Sequence, residues 1–329
     1  MKPKRLVPGV VMLATLLAAC GGGSGDSQPP PSVQLAAITS ANQDAVARAS
    51  LAGGLGVGGS GNVVTSSSQA AALYGVRRVV PDARSARADL ARPLIVSTTT
   101  EPCAVSGSVT ASFDDRDNNG FSAGDILSLA FNQCRDTATS LATGAVSFTV
   151  NSVAVVNSSQ LAFSATLAFQ QLTIAEDQHS VSINGSVTAE YDETLLSVSL
   201  NLFTSASGLA ATAAGPGYND TLAFDPGFEF RYRQVFSTSA TAGTVTTSIN
   251  GTFFATSVGG RVTLATLVPF TKLSTERYPR VGQLQITGAN NARLRITVLD
   301  ATQVRIELDA NGDGIYESVK VVPWSAILP

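Results

Sequence analysis

From about residue 104 to the C-terminus, apolar side chains recur at every second position. Leu161, Phe163, Ala165, Leu167 and Phe169 alternate with Ala162, Ser164, Thr166, Ala168 and Gln170. Leu294, Ile296 and Val298 alternate with Arg293, Arg295 and Thr297, and after a turn Val304, Ile306 and Leu308 alternate with Arg305 and Glu307. A period of two sends alternate residues to opposite faces of a strand. One apolar face and one wet face is the pattern of an antiparallel sheet with a single buried side. Roughly ten to twelve such strands are expected, rich in Val, Thr, Ser and Phe and poor in helix formers.

Several strands are long. Val181, Ile183, Val187, Ala189 and Tyr191 keep one phase through Asn184-Gly185. A two-residue hairpin there would pair Ile183 with Ser186 and flip the apolar phase, so one strand bent at a glycine fits instead. Ser248–Thr252 repeats the device, with Val245, Ile249 and Phe253 in phase through Gly251. There is also an internal repeat: GSVTASFDD (107–115) followed by ILSLAFN matches GSVTAEYDE (185–193) followed by LLSVSLN. The second copy turns within a few residues, whereas the first carries an acidic insertion. Turning the chain therefore does not account for that insertion.

Residues 35–95 read differently, being Ala-, Ser- and Gly-rich. Ser40 with Gln43 reads as a capping box opening a short helix to about Leu51, stopped by Gly53-Gly54. Ser66 with Gln69 opens a candidate second helix, ended by Gly75. The run GGLGVGG contains a formal G-x-G-x-x-G, but no strand precedes it, and it reads as a flexible loop. The arginine-rich run from Arg77 to Pro93 reads as a solvated helix or loop, with contact to anionic headgroups as the alternative. The expected architecture is all-β: long antiparallel strands over 96–329 in a curled sheet (half-barrel, barrel or sandwich), preceded by this weakly helical segment.

The first residues carry targeting information. Lys2, Lys4 and Arg5 form a basic start, and Leu6 to Ala19 is an apolar stretch too short to span a bilayer. Leu17-Ala18-Ala19-Cys20 resembles the lipobox of bacterial lipoproteins, and residues 20–34 follow as a tether rich in Gly, Ser and Pro. The resemblance implies that 1–19 is a signal peptide and that Cys20 becomes a lipidated N-terminus, carrying palmitate-like acyl chains that hold the protein on a membrane. Gly21 stands where lipoproteins retained at the inner membrane usually have Asp, so the resemblance implies the outer membrane. The alternative is an ordinary cleaved secretory signal with Cys20 a bystander.

With Cys20 set aside, Cys103 and Cys134 form an even pair in an oxidising envelope compartment, and a disulfide is expected; two buried free thiols are the alternative. The formal net charge of −3 argues against nucleic acid as a partner, and loss of the basic start makes the mature chain more acidic still. A hydrophobic content of 44% supports a real core, in one large or two small domains.

Two acidic stretches carry the chemistry. In Asp309–Glu317, Asp309, Asn311 and Asp313 sit at alternate positions, Gly314 turns the chain, the Ile315 carbonyl can point inward, and Glu317 follows. A hard cation such as Ca²⁺ takes six to eight oxygens at roughly 2.4 Å, and this spacing wraps several around one point. The stretch resembles the D-x-[DN]-x-D-G-x-x-[DE] calcium loops of bacterial surface proteins and β-propellers, which implies a structural ion and no particular activity. Asp115, Asp117, Asn119 and Asp125 form a half-matching second set, with Ile126 where an EF-hand places its last acid. In both stretches the alternative is a plain turn. No His or Cys joins either set, so neither suggests a transition-metal site.

Catalytic constellations are absent. The chain has one histidine, His179, and no H-E-x-x-H, G-x-S-x-G or S-x-x-K, so no catalytic residue is expected. Trp324 and the 14 phenylalanines read as core. Three classes of function remain. The favoured one is an anchored envelope lipoprotein acting as a binding or structural module with Ca²⁺-stabilised loops. The others are a carrier holding a lipid or acyl chain in a curved sheet, and a hydrolase without a recognisable motif.

Overall fold

A computed structural model describes residues 34–58, 97–117, 122–156, 160–176, 179–215, 218–236 and 243–328. The expectations for Cys20, the arginine-rich run and the second helix fall outside those residues. Among the described residues one helix, α1 (Gln43–Gly58), precedes fifteen strands. The first seven are β1 (Ser97–Pro102), β2 (Ser106–Asp114), β3 (Ile126–Arg135), β4 (Ser140–Val156), β5 (Gln160–Glu176), β6 (His179–Thr194) and β7 (Ser197–Gly215). Then come β8 (Tyr218–Phe224), β9 (Glu229–Val235), β10 (Thr244–Ala255) and β11 (Gly260–Leu273). The last four are β12 (Val281–Thr287), β13 (Arg293–Val298), β14 (Gln303–Asp309) and β15 (Ser318–Pro323).

All fifteen strands belong to one antiparallel sheet, ordered along the chain from β1 to β15. The count exceeds the expected ten to twelve partly because β8 and β9 share one lane: both pair with β7 and with β10, end to end. Asp225–Phe228 bulges out between them. Thr204 locks that bulge, its hydroxyl accepting from the Phe228 amide (2.9 Å) and donating to the Asp225 carbonyl.

Because every neighbouring pair is antiparallel, the turns alternate between two rims of the sheet. One rim carries the loop from Asp115 to Asp125, the Leu195-Leu196 turn and the 274–280 loop. The opposite rim carries the 256–259 turn, the 288–292 turn and the loop from Ala310 to Glu317.

The apolar phase of the strands builds one core. Leu167, Val187, Leu202, Phe230, Phe253, Leu264, Leu284, Ile296 and Ile306, from nine different lanes, fall in a single buried cluster. A sheet this wide brings those faces together only by curling, and α1 lies inside the curl against β9, β10 and β13. Val46, Ala47 and Leu51 on α1 are fully buried there. Ala36 and Ile38 add to the same core, so residues 36–51 and the sheet share one interior. Trp324 closes it after β15, stacked on Tyr278 with ring centroids 5.6 Å apart.

The helix departs from its expected start and end. Its cap lies one residue earlier than the expected box: Thr39 N–H donates to Asn42 Oδ1 (2.8 Å), while the Gln43 side chain donates to the Ser40 carbonyl. It also runs on through Gly53-Gly54 to Gly58 rather than stopping or forming the flexible loop expected of GGLGVGG. Each glycine costs a helix about 1 kcal/mol against alanine. The packed first three turns remove the cost of nucleation that would otherwise stop so weak a sequence.

The strands curl through a recurring device. The register shifts between β2 and β3 at Gly107, between β4 and β5 at Gly144, and between β6 and β7 at Gly185. Each glycine faces a left-handed residue on its partner: Gln133, Gln171 or Gly208. Such bulges bend a strand and raise its twist. β6 and β10 run unbroken through Gly185 and Gly251, as the apolar phase predicts.

At Gly144 the backbone has φ +87°, and an added Cβ would lie 2.2 Å from the Gln171 carbonyl oxygen. Gly144→Ala should therefore cost on the order of 3 kcal/mol, combining left-handed strain with backbone displacement. Gly259→Ala, at φ +75° but facing open space, should cost only about 1 kcal/mol. Denaturant midpoints of the two variants test this, and equal shifts would mean that the close strand approach contributes nothing.

Candidate functional site: acidic loops on opposite rims

The first loop is fastened at its C-terminal end. Gly124 N–H donates to the Val150 carbonyl (2.8 Å), and Val150 N–H donates back to the Asp125 carbonyl (2.9 Å). This backbone pair carries Asp125 into the sheet, where its side chain is fully buried. Its carboxylate accepts Ser122 N–H (2.6 Å) and Arg116 N–H (3.3 Å). Ser122 Oγ donates to both oxygens of Asp117 (3.0 and 3.1 Å). Burial raises the Asp125 pKa above the ordinary carboxylate value, and the Asp115 and Asp117 charges push it the same way against the two amide donors. One ligand oxygen from each of Asp115, Asp117 and Asp125 lies within 4.8 Å of the others. Asn119 lies outside the described residues.

The second loop starts at the buried end of β14. Asp309 is fully buried, its Oδ1 accepting Gly312 N–H (2.7 Å) and its Oδ2 accepting Gly314 N–H (2.9 Å). Asn311 and Asp313 clasp each other, with Asn311 Nδ2 donating to Asp313 Oδ2 (3.0 Å) and Asp313 N–H to Asn311 Oδ1 (2.9 Å). Ile315 N–H donates to Asp313 Oδ1 (2.8 Å) while its side chain stands in solvent, and Ala310 N–H donates to Glu317 Oε2 (3.0 Å). Asp309, Asp313 and Glu317 bring one oxygen each within 4.8 Å of one another.

Both donor sets suit a hard divalent cation. Each carboxylate offers about four lone-pair positions, so one amide bond per oxygen leaves room for an ion. The ligating atoms are all oxygen, and three carboxylates held this close repel unless a proton or a cation intervenes. The two sets sit on opposite rims, so they are separate sites rather than halves of one.

A third close group joins Cys103, Cys134 and Asp136, but its sulfurs are spent. Cys103 and Cys134 form the expected disulfide, with Cα atoms 5.5 Å apart. It ties the segment before β2 to the bulged end of β3, closing a loop with a sequence separation of 31. Loop-closure entropy assigns such a bond about 3–4 kcal/mol.

His179 begins β6, its backbone opposite Glu176. No helix among the described residues is long and apolar enough to cross a membrane. No protein-family model matches the chain, and neither a curated protein nor a solved structure matches it.

A further ionisable group, Lys272, is buried outside both acidic loops. Lys272 points into the core on the same phase as Phe270 and is 5% exposed. Its ammonium donates to the carbonyls of Glu276 (2.9 Å) and Arg277 (3.5 Å), folding the 274–280 loop back over β11. A lysine in phase with buried phenylalanine was the available signal. Burial lowers its pKa to about 8, opposed by the Glu276 charge. Below that pH both folded and unfolded chains carry the charge, and the desolvation penalty is present in full. Between about pH 8 and the ordinary lysine value near 10.4 the unfolded chain holds the extra proton, so stability rises with pH. Lys272→Met should flatten that rise in denaturation midpoints measured from pH 7.5 to 10.5. An identical slope in wild type and variant would assign the effect to other groups.

Proposed function

We propose that this protein is an envelope lipoprotein, anchored at the outer membrane through acyl chains on Cys20, whose curled sheet is a rigid binding or structural module with calcium-stabilised loops. One observation carries the reading: residues 34–36, just after the tether, are stitched into one rim of the sheet. Arg261 N–H donates to the Gln34 carbonyl (3.1 Å), Ala36 N–H to the Arg261 carbonyl (2.7 Å), and Ala289 N–H to the Ala36 carbonyl (2.7 Å). A body whose entry point is locked in this way transmits position from an anchor to the whole sheet. Residues 20–34 can extend no further than about 50 Å, so this rim would lie within that distance of the membrane. Several buried acyl chains, at about 0.8 kcal/mol per methylene, suffice to hold a protein without a membrane-crossing helix.

A second reading, a carrier for a lipid or acyl chain, is favoured by one feature. The apolar phase of β2 to β4, including Phe113, Leu127, Leu129, Phe131 and Phe148, is only half-buried, whereas the same phase of β10 to β14 is sealed. Native mass spectrometry of protein purified from its own membranes separates the readings. Co-purifying lipid in stoichiometric amount favours the carrier, and a bare acylated chain favours the module.

Cys20→Ser should release the protein into the soluble envelope fraction with an unchanged circular-dichroism spectrum, since the core begins at Ala36. Continued pelleting after a high-salt wash would contradict the anchor.

Calcium should raise the melting temperature by a few degrees. At roughly ten times a dissociation constant of about 0.1–1 mM, mass action gives about 1.4 kcal/mol. Asp313→Ala should remove most of the shift from the second loop, and Asp117→Ala that from the first. Superimposable melting curves in chelator and in millimolar calcium would leave both loops as turns.

A further inference from the structure

Among the described residues, three Asn-Gly pairs occur, in different settings. Asn184-Gly185 and Asn250-Gly251 lie inside β6 and β10, and Asn311-Gly312 lies in the exposed loop after β14. We infer that Asn311 is a site of spontaneous backbone-assisted deamidation, and that the fold protects the other two. The inference is independent of whether the loop binds a cation.

The chemistry needs the amide nitrogen of the following residue to reach the asparagine side-chain carbon. Gly312 presents no Cβ to block that approach, and its backbone has φ +76°. Its N–H donates to the Asp309 carboxylate at 2.7 Å, a bond that opens as the nitrogen turns toward Cγ, and solvent hydroxide at alkaline pH takes the amide proton. The nitrogen then attacks Cγ of Asn311, a new C–N bond closes the five-membered imide, and the bond to the carboxamide nitrogen breaks to release ammonia. Water opens the imide at either carbonyl, giving aspartate or isoaspartate. The balance is one water consumed and one ammonia released, with no change of oxidation state.

The strand pairs are held against that ring closure. Asn184 Oδ1 accepts Gln171 N–H across the bulge (3.2 Å). Asn250 is held at both ends, its Oδ1 accepting Thr266 N–H (3.0 Å) and its Nδ2 donating to Glu229 Oε2 (3.2 Å). Swinging the glycine nitrogen toward Cγ would tear Gly185 from its pairing with Phe169 and Leu209, and Gly251 from its pairing with Leu264. Asn311 bonds through its side chain to Asp313 within the same loop, and Gly312 bonds to Asp309 and, through its carbonyl, to Asn291, so ring closure there breaks loop bonds but no strand pairing. The product matters locally: aspartate would add a fourth carboxylate to a loop holding three, and isoaspartate would lengthen the backbone between Asp309 and Asp313.

The test is peptide mapping by mass spectrometry of the full chain, incubated folded at mildly alkaline pH in chelator and, in parallel, unfolded in denaturant. In the folded sample the peptide containing Asn311 should gain acid at least about tenfold faster than those containing Asn184 and Asn250, a barrier difference of about 1.4 kcal/mol or more. In denaturant all three should react at comparable rates. Asn311→Ser should leave the folded chain with no site among the three reacting on that timescale. If Asn311 stays intact in the folded protein as long as the two strand residues do, the inference is wrong. It is equally wrong if unfolding speeds Asn311 as much as it speeds them.

Discussion

The packing of α1 against the inner faces of β9, β10 and β13 is the contact on which the rest of the molecule depends. An antiparallel ribbon with one apolar face gains little unless that face is removed from water, and each large aliphatic or aromatic side chain fully buried contributes about 1.5–3 kcal/mol. Curling brings the inner faces of β5 to β14 toward one another, but a curl this wide leaves an axis that strand side chains alone do not fill. Val46, Ala47, Ala49 and Leu51 occupy it. The helix meets β9 and β10, whose Phe230, Ile249 and Phe253 are fully buried. The helix is tied at its N-terminal end as well, through Asp44 to Lys320 on β15, so the last strand of the sheet is linked to the element that fills it.

Curvature is distributed along the sheet rather than made at one corner. The bulges at Gly107, Gly144 and Gly185 each insert extra residues on the partner strand, and each places a glycine where a carbonyl of that strand closes in. Their recurrence on the first strand of three successive hairpins explains the sequence repeat between residues 107–115 and 185–193. Gly144 begins a third copy, Gly-Ala-Val-Ser-Phe-Thr, too diverged after its first residues to be noticed by identity. What recurs is a backbone requirement, so glycine and the following β-branched residue persist while the outward positions drift.

This accounts for which parts of the structure were legible in the sequence. The inner phase of β5, β6, β10, β13 and β14 was readable because each strand holds a single parity over several residues. The phase kept through Gly185 also distinguished a bend from a hairpin. The strand count was not readable, because β8 and β9 are short pieces of one lane interrupted at Asp225–Phe228, and only pairing to β7 and β10 reveals that they are collinear. The helix end was misjudged for a related reason: Gly53-Gly54 is a stop signal by propensity, and tertiary packing of the preceding turns outweighs it. In the acidic loops, spacing foretold that Asp309, Asp313 and Glu317 converge, since alternate residues of a tight turn share a side. It could not foretell that Asp309 and Asp125 would be fully buried, which depends on where β14 ends and on how Val150 holds the first loop.

The alternation of turns places the two acidic loops at opposite rims, and that separation has a physical consequence for the proposed anchor. The entry at Gln34–Ala36 and the Asp309–Glu317 loop share one rim, and Asn291 Nδ2 bridges toward the loop through the Gly312 carbonyl at 3.3 Å. Under a lipid anchor at Cys20 this loop would lie on the tethered rim, within about 50 Å of a membrane whose anionic headgroups set up a negative surface potential. Three carboxylates near such a surface are repelled by it, and a bound divalent cation would reduce that repulsion as well as the repulsion within the loop. The Asp115–Asp125 loop, on the far rim, is set off from such a surface by at least the length of a strand, roughly 30 Å for the 9 residues of β2 and more than a Debye length at physiological ionic strength, so it would feel chiefly its own charges. The same ligand chemistry would therefore act differently at the two ends, coupling to the membrane at one and to local loop order at the other.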